Sequence, residues 1–251
     1  MRPFDQECAE LAPLETFGAA AFEGDLEVPQ HVCNIVLTLA LFYNDYKDIL
    51  FASIALADSK PAGSFKKTRL WGAHSGMEFH AIRLQIGLLH ELFKFIRDSG
   101  DALDHPIMSK VERQLNPAYR EAWQSLLQVA KGATPADEFG RSLLRIRHKV
   151  VFHYDPQEVF RGYKHQFIAV QGSDERPFIS RGTSMSATRF YFADAAVVGY
   201  LRAIEGDAGA DEVYKNLSGL VRTVNMSLKT VVETFIQLRG GAYRTHREET
   251  A

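Results

Sequence analysis

Apolar residues along most of the chain recur at steps of three and four, the spacing of one face of an α-helix. From Pro29 this spacing predicts a long helix that continues as far as the stop signal at Pro61. A second long helix is predicted over residues 68–97. Two shorter helices, over 106–115 and 117–131, each carry a proline in the first turn, where its missing N–H group does no harm. The first half of the chain is therefore predicted to be helical.

The second half mixes helical spacing with one stretch of different character. A further helix is predicted over residues 135–154. Over residues 166–193, short β-favouring pieces alternate with glycine-containing turns, which predicts a small hairpin or three-stranded insertion. Helical spacing returns over 193–204 and 211–238, with a bend rich in glycine, alanine and aspartate between them. We therefore expect an all-α multi-helix bundle with one small β insertion.

The same pattern suggests one domain with loose ends. Residues 1–28 are acidic and contain prolines and glycines, which predicts a loosely ordered lead-in. Residues 29–240 are predicted to form a single helical domain that includes the insertion at 166–193. Residues 241–251 are predicted to be a flexible tail.

Composition and charge restrict the class of protein. The chain has 251 residues, 46% of them hydrophobic and 24% charged, which is typical of a globular protein large enough to bury its own core. Its net charge of −2 does not fit a protein that binds nucleic acid over its whole surface. Any binding to nucleic acid therefore requires a local basic patch.

Signals for export or membrane insertion are not predicted. Residues 1–25 lack the basic end and apolar run of a secretory signal. The longest apolar stretch, residues 35–43, is shorter than the roughly 20 residues that cross a bilayer. Cys8 and Cys33 lie far apart without metal-ligand spacing, which indicates reduced, apolar side chains. We expect a cytoplasmic protein without a membrane partner.

The sequence also lacks the common cofactor and metal motifs. It contains neither of the glycine-rich loops that bind nucleotide phosphates and no Gly-x-Ser-x-Gly elbow. No histidine follows a glutamate by three residues, which is the spacing of di-iron sites in helical bundles. We therefore expect no cofactor and no metal.

One part of the predicted helix over 135–154 concentrates positive charge. From Phe139 to Tyr154 it contains four cations and two histidines but no acidic residue. Cations three or four residues apart on a helix repel each other, by roughly 0.2–0.5 kcal/mol per pair. One explanation is the favourable interaction of cations with a helix C-terminus, and another is a phosphate-binding site. The residues concerned are Arg141, Arg145, Arg147, His148, Lys149 and His153.

The second explanation suits cleavage of a phosphodiester without a metal ion. The planar guanidinium of Arg147 matches phosphate oxygens and can stabilise the charge that develops on them. Histidine titrates near neutral pH, so His153 can move the proton of a ribose 2′-hydroxyl. His153 also continues the apolar stripe of the helix, which leaves a buried structural histidine as the alternative.

The motif Arg147-His148-Lys149-Val150-Val151-Phe152-His153 resembles the signature of the HEPN superfamily of all-α proteins. The resemblance implies a metal-independent endoribonuclease, of a kind found in toxin–antitoxin and phage-defence systems, that acts on RNA as a homodimer. An antitoxin protein is a further partner that it suggests. It implies that Arg147 and His153 are the catalytic pair, and that His148 takes a position often held by a small polar residue. The expected substrate-binding residues are Arg141, Arg145, His148, Lys149 and Tyr154.

Helix geometry favours the dimer. Six residues of a straight helix leave Arg147 and His153 roughly 120° and about 9 Å apart, whereas a two-fold axis would bring two motifs into one cleft. Other Arg–His pairs occur at similar spacing, as at Arg83 and His90, so the basic helical context distinguishes this motif. Two alternatives stay open: a catalytically inactive helical bundle that binds a protein or nucleic acid, and a small-ligand pocket between helices.

Two further sets of residues have a structural and a functional interpretation. His74, His80 and His90, on the second long helix, either line a groove or are separate core and rim residues. The aromatic run Phe190-Tyr191-Phe192 either contacts RNA or a partner, or caps one end of the bundle. For the aromatic residues in general, helical spacing favours core packing over base stacking.

Overall fold

The computed structural model is predominantly helical, which confirms the predicted all-α class. It describes residues 15–60, 69–131, 155–169, 176–184, 188–240 and 244–245. The helices predicted from Pro29 onward and over 68–97, 106–115 and 117–131 are all confirmed. The described helices are α1 (Gln30–Asp58), α2 (Arg69–Asp98), α3 (Gly100–Leu103), α4 (Pro106–Gln114), α5 (Pro117–Ala130), α6 (Pro156–Phe167) and α7 (Tyr191–Gly240).

Three of these helices begin with the same local signal, a polar N-cap followed by proline. The His105 ring nitrogen accepts a hydrogen bond from the backbone of Ile107 at the start of α4. Asn116 and Asp155 cap α5 and α6 in the same way. Each cap satisfies an N–H group that has no partner within its helix, and the proline loses nothing because its position needs no donor. The signal at Asp155 also identifies α6, a helix that the sequence analysis did not predict.

The predicted β insertion over 166–193 is wrong for the residues that the structure describes there. Phe167 belongs to α6, and Tyr191 already begins α7. Between them, the pairing of described residues is one isolated antiparallel bridge, from Ser180 to Arg189. The start of the predicted insertion is helical because of residues that precede it. The cap at Asp155 starts helix α6, whose aromatic side chains then pack along one face. Helix formation overrides the local β propensity at Phe167 and at residues 191–192.

Helix α7 contains the bend that the sequence predicts between residues 204 and 211. Gly206 lies in the left-handed region, with φ 72° and ψ 166°, and interrupts the helical backbone. A residue with a Cβ atom rarely adopts this conformation, so the glycine fixes the position of the bend. The two helices predicted over 193–204 and 211–238 are therefore confirmed as the two arms of α7.

The chain divides into two compact units. Unit 1 contains residues up to 48, residues 91–135 and residues from 220 onward, and unit 2 contains residues 49–90 and 136–219. The predicted helix over 135–154 and most of the predicted tail lie outside the described residues. Within unit 1, α1 buries Val32, Val36, Leu39 and Tyr46, and the ring of Phe42 lies 5.4 Å from that of Phe95 on α2. In unit 2, the buried side chains include Ile86, Leu89, Leu201 and Leu217.

The described part of the predicted lead-in packs within unit 1. Strands β1 (Glu15–Thr16) and β2 (Arg244–Thr245) form a short antiparallel pair. A single 3-10 turn, Ala19–Phe22, follows β1 and buries Ala21 completely. The ring of Phe22 lies 5.7 Å from that of Phe235 on α7. Apolar contacts therefore hold residues 15–28 against the last part of the chain.

Polar contacts join the same two segments. Arg239 on α7 donates one hydrogen bond from Nη1 to Asp25 Oδ2 and another from Nη2 to the carbonyl of Glu23, at 2.6 Å. Asp25 Oδ1 accepts from the backbone N–H groups of Glu27 and Val28, both at 2.8 Å. The Arg239 guanidinium, with these two N–H groups, lowers the pKa of Asp25 from 3.8 to about 2. We call the contacts of Asp25 and Arg239 the clamp.

Candidate functional site

The residues of the basic motif lie outside the part of the chain that the structure describes. Residues 132–154 include Arg141, Arg145, Arg147, His148, Lys149, His153 and Tyr154, so their arrangement stays a prediction. The described chain resumes at Asp155, two residues after His153, and enters α6 at once. Helix α6 and the elements packed on it in unit 2 are therefore the described structure nearest to the motif in sequence.

Helices α6 and α7 touch through their backbones where two glycines meet. A Cβ atom on Gly162 would lie 1.9 Å from the carbonyl oxygen of Ala196 and 2.6 Å from the nitrogen of Tyr200. A Cβ atom on Gly199 would lie 2.2 Å from the carbonyl oxygen of Gly162. No side chain fits at either position. This close crossing brings the aromatic residues of the two helices together.

Five aromatic side chains form a continuous cluster beside this crossing. Tyr163 lies between Phe160 and Phe167 on α6, with ring centroids 6.4 Å and 5.1 Å away. It also meets Phe192 of α7 edge to face at 6.3 Å, and Phe192 in turn lies 6.0 Å from Phe190. Phe160 is 60% exposed and Phe190 is 57% exposed. We call these five residues the aromatic surface, because two of their rings face solvent instead of the core.

Cations lie close in sequence to the aromatic surface. Arg161 and Lys164, which are exposed, occupy α6 positions between its three aromatic residues. The Arg161 guanidinium is 3.6 Å from Glu158, so part of its charge is compensated. Arg176 and Arg181, before α7, are also exposed. Exposed rings with nearby cations can stack on nucleic-acid bases while attracting phosphates.

Arg189 and Tyr191 have a structural role instead. The Arg189 guanidinium binds Asp194 through two nitrogens, each 3.0 Å from Oδ2. It also covers Gly76 on α2, where a Cβ atom would lie 1.9 Å from its Nη2. The ring of Tyr191 covers Gly72 in the same way, and it packs on Phe178 with centroids 4.8 Å apart. These contacts fix the chain on both sides of Phe190, whose own ring stays exposed.

A second site lies between the end of α1 and the middle of α2 in unit 2. It is a cavity of about 280 Å³, with Leu56, Phe79, Ile82 and Leu217 among its apolar lining residues. Its polar lining residues are Ser53, Glu78 and Gln85. Volume, apolar walls and few polar groups are the usual attributes of a site for a small molecule.

The polar groups at this cavity are positioned by hydrogen bonds. Gln85 Nε2 donates to Ser53 Oγ at 3.0 Å, and Ser53 Oγ donates to the carbonyl of Ile49 at 2.9 Å. The buried His74 ring donates from Nε2 to the carbonyl of Leu56 at 2.6 Å, because a carbonyl can only accept. Its Nδ1 lies 3.4 Å from Glu78 Oε2. The Glu78 carboxylate thus lies beside the His74 ring at the edge of the cavity.

The three histidines of α2 lie in three different environments. His74 is 3% exposed and contacts Glu78, whereas His80 is exposed and its Nδ1 lies 3.4 Å from Arg83. His90 is partly buried. His74 and His90 are thus more buried than His80. The size and burial of the surrounding residues distinguish His74 from the other two histidines. The hydrophobic periodicity of the sequence does not predict either property.

Comparisons with known proteins find no match to this chain among family models, curated proteins or solved structures. None of the described helices combines the length and apolar character needed to cross a membrane. Among the described residues, no group of three or more histidine, cysteine, aspartate or glutamate side chains could hold a metal ion. The function must therefore be inferred from the chemistry of this chain's own residues.

Proposed function

We propose that this protein is a metal-independent endoribonuclease of HEPN type that acts as a homodimer, as a toxin or a phage-defence factor in the cytoplasm. The observation that carries the proposal is the sequence Arg147-His148-Lys149-Val150-Val151-Phe152-His153 within a basic stretch of an all-helical chain. An arginine and a histidine supply the two functions that such cleavage needs, charge stabilisation and proton transfer.

In this mechanism His153 takes the proton of a ribose 2′-hydroxyl. The 2′-oxygen attacks the neighbouring phosphorus while Arg147 stabilises the added negative charge on the phosphate oxygens. The bond from phosphorus to the 5′-oxygen then breaks, and the leaving oxygen takes up a proton. The products are a 2′,3′-cyclic phosphate and a 5′-hydroxyl. Arg141, Arg145, His148, Lys149 and Tyr154 bind the RNA.

The aromatic surface supports an RNA substrate. Its exposed rings, Phe160 and Phe190, offer stacking positions, and α6 follows His153 directly in the chain. Stacking of a base on an aromatic side chain contributes about 1–3 kcal/mol and needs no particular base sequence. The arrangement also fits the low net charge of −2, since it provides local contacts without a basic surface overall.

The test is cleavage of a single-stranded RNA in the presence of EDTA. We expect the wild-type protein to leave 2′,3′-cyclic phosphate ends, and Arg147→Ala and His153→Ala each to lose activity at least about a hundredfold. Phe160→Ala should raise KM and leave kcat nearly unchanged, because stacking holds the substrate without touching the reacting atoms. Arg97→Ala, which removes an exposed arginine of unit 1, is the matched control and should have no effect.

Equal cleavage by all of these variants would contradict the proposal, as would a strictly monomeric mass in solution.

The second candidate is a catalytically inactive helical bundle that binds a partner, and the exposed apolar rings of the aromatic surface favour it. It predicts that RNA is bound but never cleaved, with binding weakened by Phe160→Ala and not by His153→Ala.

A further inference from the structure

The cavity of unit 2 has properties that the proposed ribonuclease does not use. Its described lining comes from α1, α2 and Leu217 of α7, and apolar side chains make up more than half of it. At about 280 Å³ it is slightly smaller than the usual ligand pocket of roughly 300–1,000 Å³, which suits a single ring with a short substituent. A compact ligand with an apolar body therefore matches its size.

Gln85 provides a hydrogen-bond acceptor inside this cavity. The residue is only 6% exposed, and its Nε2 is bound to Ser53 Oγ. Its Oε1 has no hydrogen-bond partner among the described residues, although the side chain lines the cavity. This amide oxygen is therefore available to a ligand that donates a hydrogen bond to it.

Glu78 gives the cavity a negative charge. Its Oε2 is 3.4 Å from His74 Nδ1. The carboxylate remains 34% exposed, so it is accessible from the cavity. Among the described residues that line the cavity, none is a lysine or an arginine. The Phe79 ring on the same wall adds a π face that attracts cations.

We propose that this cavity binds a small organic cation, a primary amine on an apolar or aromatic body. The ammonium donates to the Glu78 carboxylate and to Gln85 Oε1, while the body of the ligand contacts Leu56, Ile82 and Leu217. The site requires neither Arg147 nor His153, so it is independent of the proposed nuclease activity.

Calorimetric titration of the purified full chain at neutral pH tests this proposal with three ligands of one shape. Benzylamine is the cation, benzyl alcohol its neutral counterpart and benzoate its anionic counterpart. We expect benzylamine to bind at a single site at least about tenfold more tightly than benzyl alcohol, and benzoate not to bind.

Two variants locate the binding. Glu78→Gln should lower the affinity for benzylamine to that for benzyl alcohol and leave benzyl alcohol unchanged, because it removes the charge while keeping the size. Glu121→Gln, an exposed acid of unit 1, is the matched control and should leave both affinities unchanged. Thermal melting of each variant verifies folding.

A further variant keeps the proposal testable if Glu78→Gln fails to fold. Phe79→Leu keeps an apolar wall but removes the π face, and should weaken benzylamine more than benzyl alcohol. Equal affinity for benzylamine and benzyl alcohol in the folded wild-type protein would overturn the proposal. So would preferential binding of benzoate, or the absence of any binding by benzylamine.

Discussion

The clamp in unit 1 and the cavity in unit 2 place similar polar groups in opposite situations. In the clamp, both carboxylate oxygens of Asp25 accept hydrogen bonds, and both terminal nitrogens of the Arg239 guanidinium donate them. At the cavity, Gln85 has one end of its amide bonded and the other end without a described partner. Each region contains a carboxylate, and of the two only that of Asp25 has described hydrogen bonds to both of its oxygens.

This difference distinguishes polar groups that stabilise the fold, such as those of the clamp, from polar groups that are available to a ligand. The contacts of the clamp join residues more than 200 positions apart in the chain, so their loss changes stability. The amide oxygen of Gln85 has the opposite character, because it has no described hydrogen bond within the fold and can accept one from a ligand. We therefore expect substitutions at the clamp to change folding and substitutions at the cavity to change binding.

The largest expected effect comes from the helix crossing that forms unit 2. Gly162→Val would place side-chain atoms where the backbone of α7 lies, since even a Cβ atom would be 1.9 Å from the oxygen of Ala196. We expect a loss of about 3 kcal/mol or more in the free energy of unfolding, measured by urea denaturation. The contacts of the clamp should persist, because they belong to unit 1.

Gly100→Ala is the matched control for this substitution. Gly100 is also helical, but nothing lies within 4 Å of the position that its Cβ atom would take. Alanine there should leave stability unchanged or raise it slightly, since alanine favours helix more than glycine does. A Gly162→Val protein as stable as the Gly100→Ala protein would show that α6 and α7 do not cross closely.

A smaller effect is expected at the clamp, where it depends on pH. The pKa of Asp25 is lowered to about 2 from 3.8, first by its hydrogen bond with Arg239 and then by two backbone N–H groups. A lowered pKa means that the folded state favours the ionised carboxylate, so the stabilisation is present above about pH 4 and is lost as pH falls toward 2. Between these values, the melting temperature of the wild-type protein should fall faster than that of Asp25→Asn.

Asp98→Asn is the comparison for this titration, since Asp98 is exposed and its carboxylate lies 3.8 Å from the neighbouring Arg97. That variant should follow the wild-type curve. If Asp25→Asn also follows it, the clamp contributes no pH-dependent stability.

The sequence predicted the regular helices well because their boundaries are set locally. Local backbone geometry places these boundaries, through the prolines and caps near residues 106 and 117 and through Gly206 in the bend of α7.

The aromatic surface and the cavity, in contrast, depend on contacts between distant segments of the chain. Phe160 and Phe190 are brought together only because Gly162 and Gly199 allow the helices to touch. No periodicity within α6 or α7 contains that information, and the same holds for the pairing of Ser53 with Gln85.

The smallest expected effect concerns Tyr46, which shows that a buried polar group need not indicate a binding site. Tyr46 in unit 1 is 0% exposed, its hydroxyl has no hydrogen-bond partner among the described residues, and burial raises its pKa well above the usual range. Unlike Gln85, it is enclosed by the core of α1 and lines no described cavity. Tyr46→Phe removes a polar group whose burial is uncompensated, so we expect thermal denaturation to show a gain in stability of about 1 kcal/mol or less.

Tyr43→Phe, at a partly exposed position of the same helix, should change stability by less than this. A clear loss of stability in Tyr46→Phe would mean that the hydroxyl is satisfied within the fold, and the distinction between Tyr46 and Gln85 would then lose its basis.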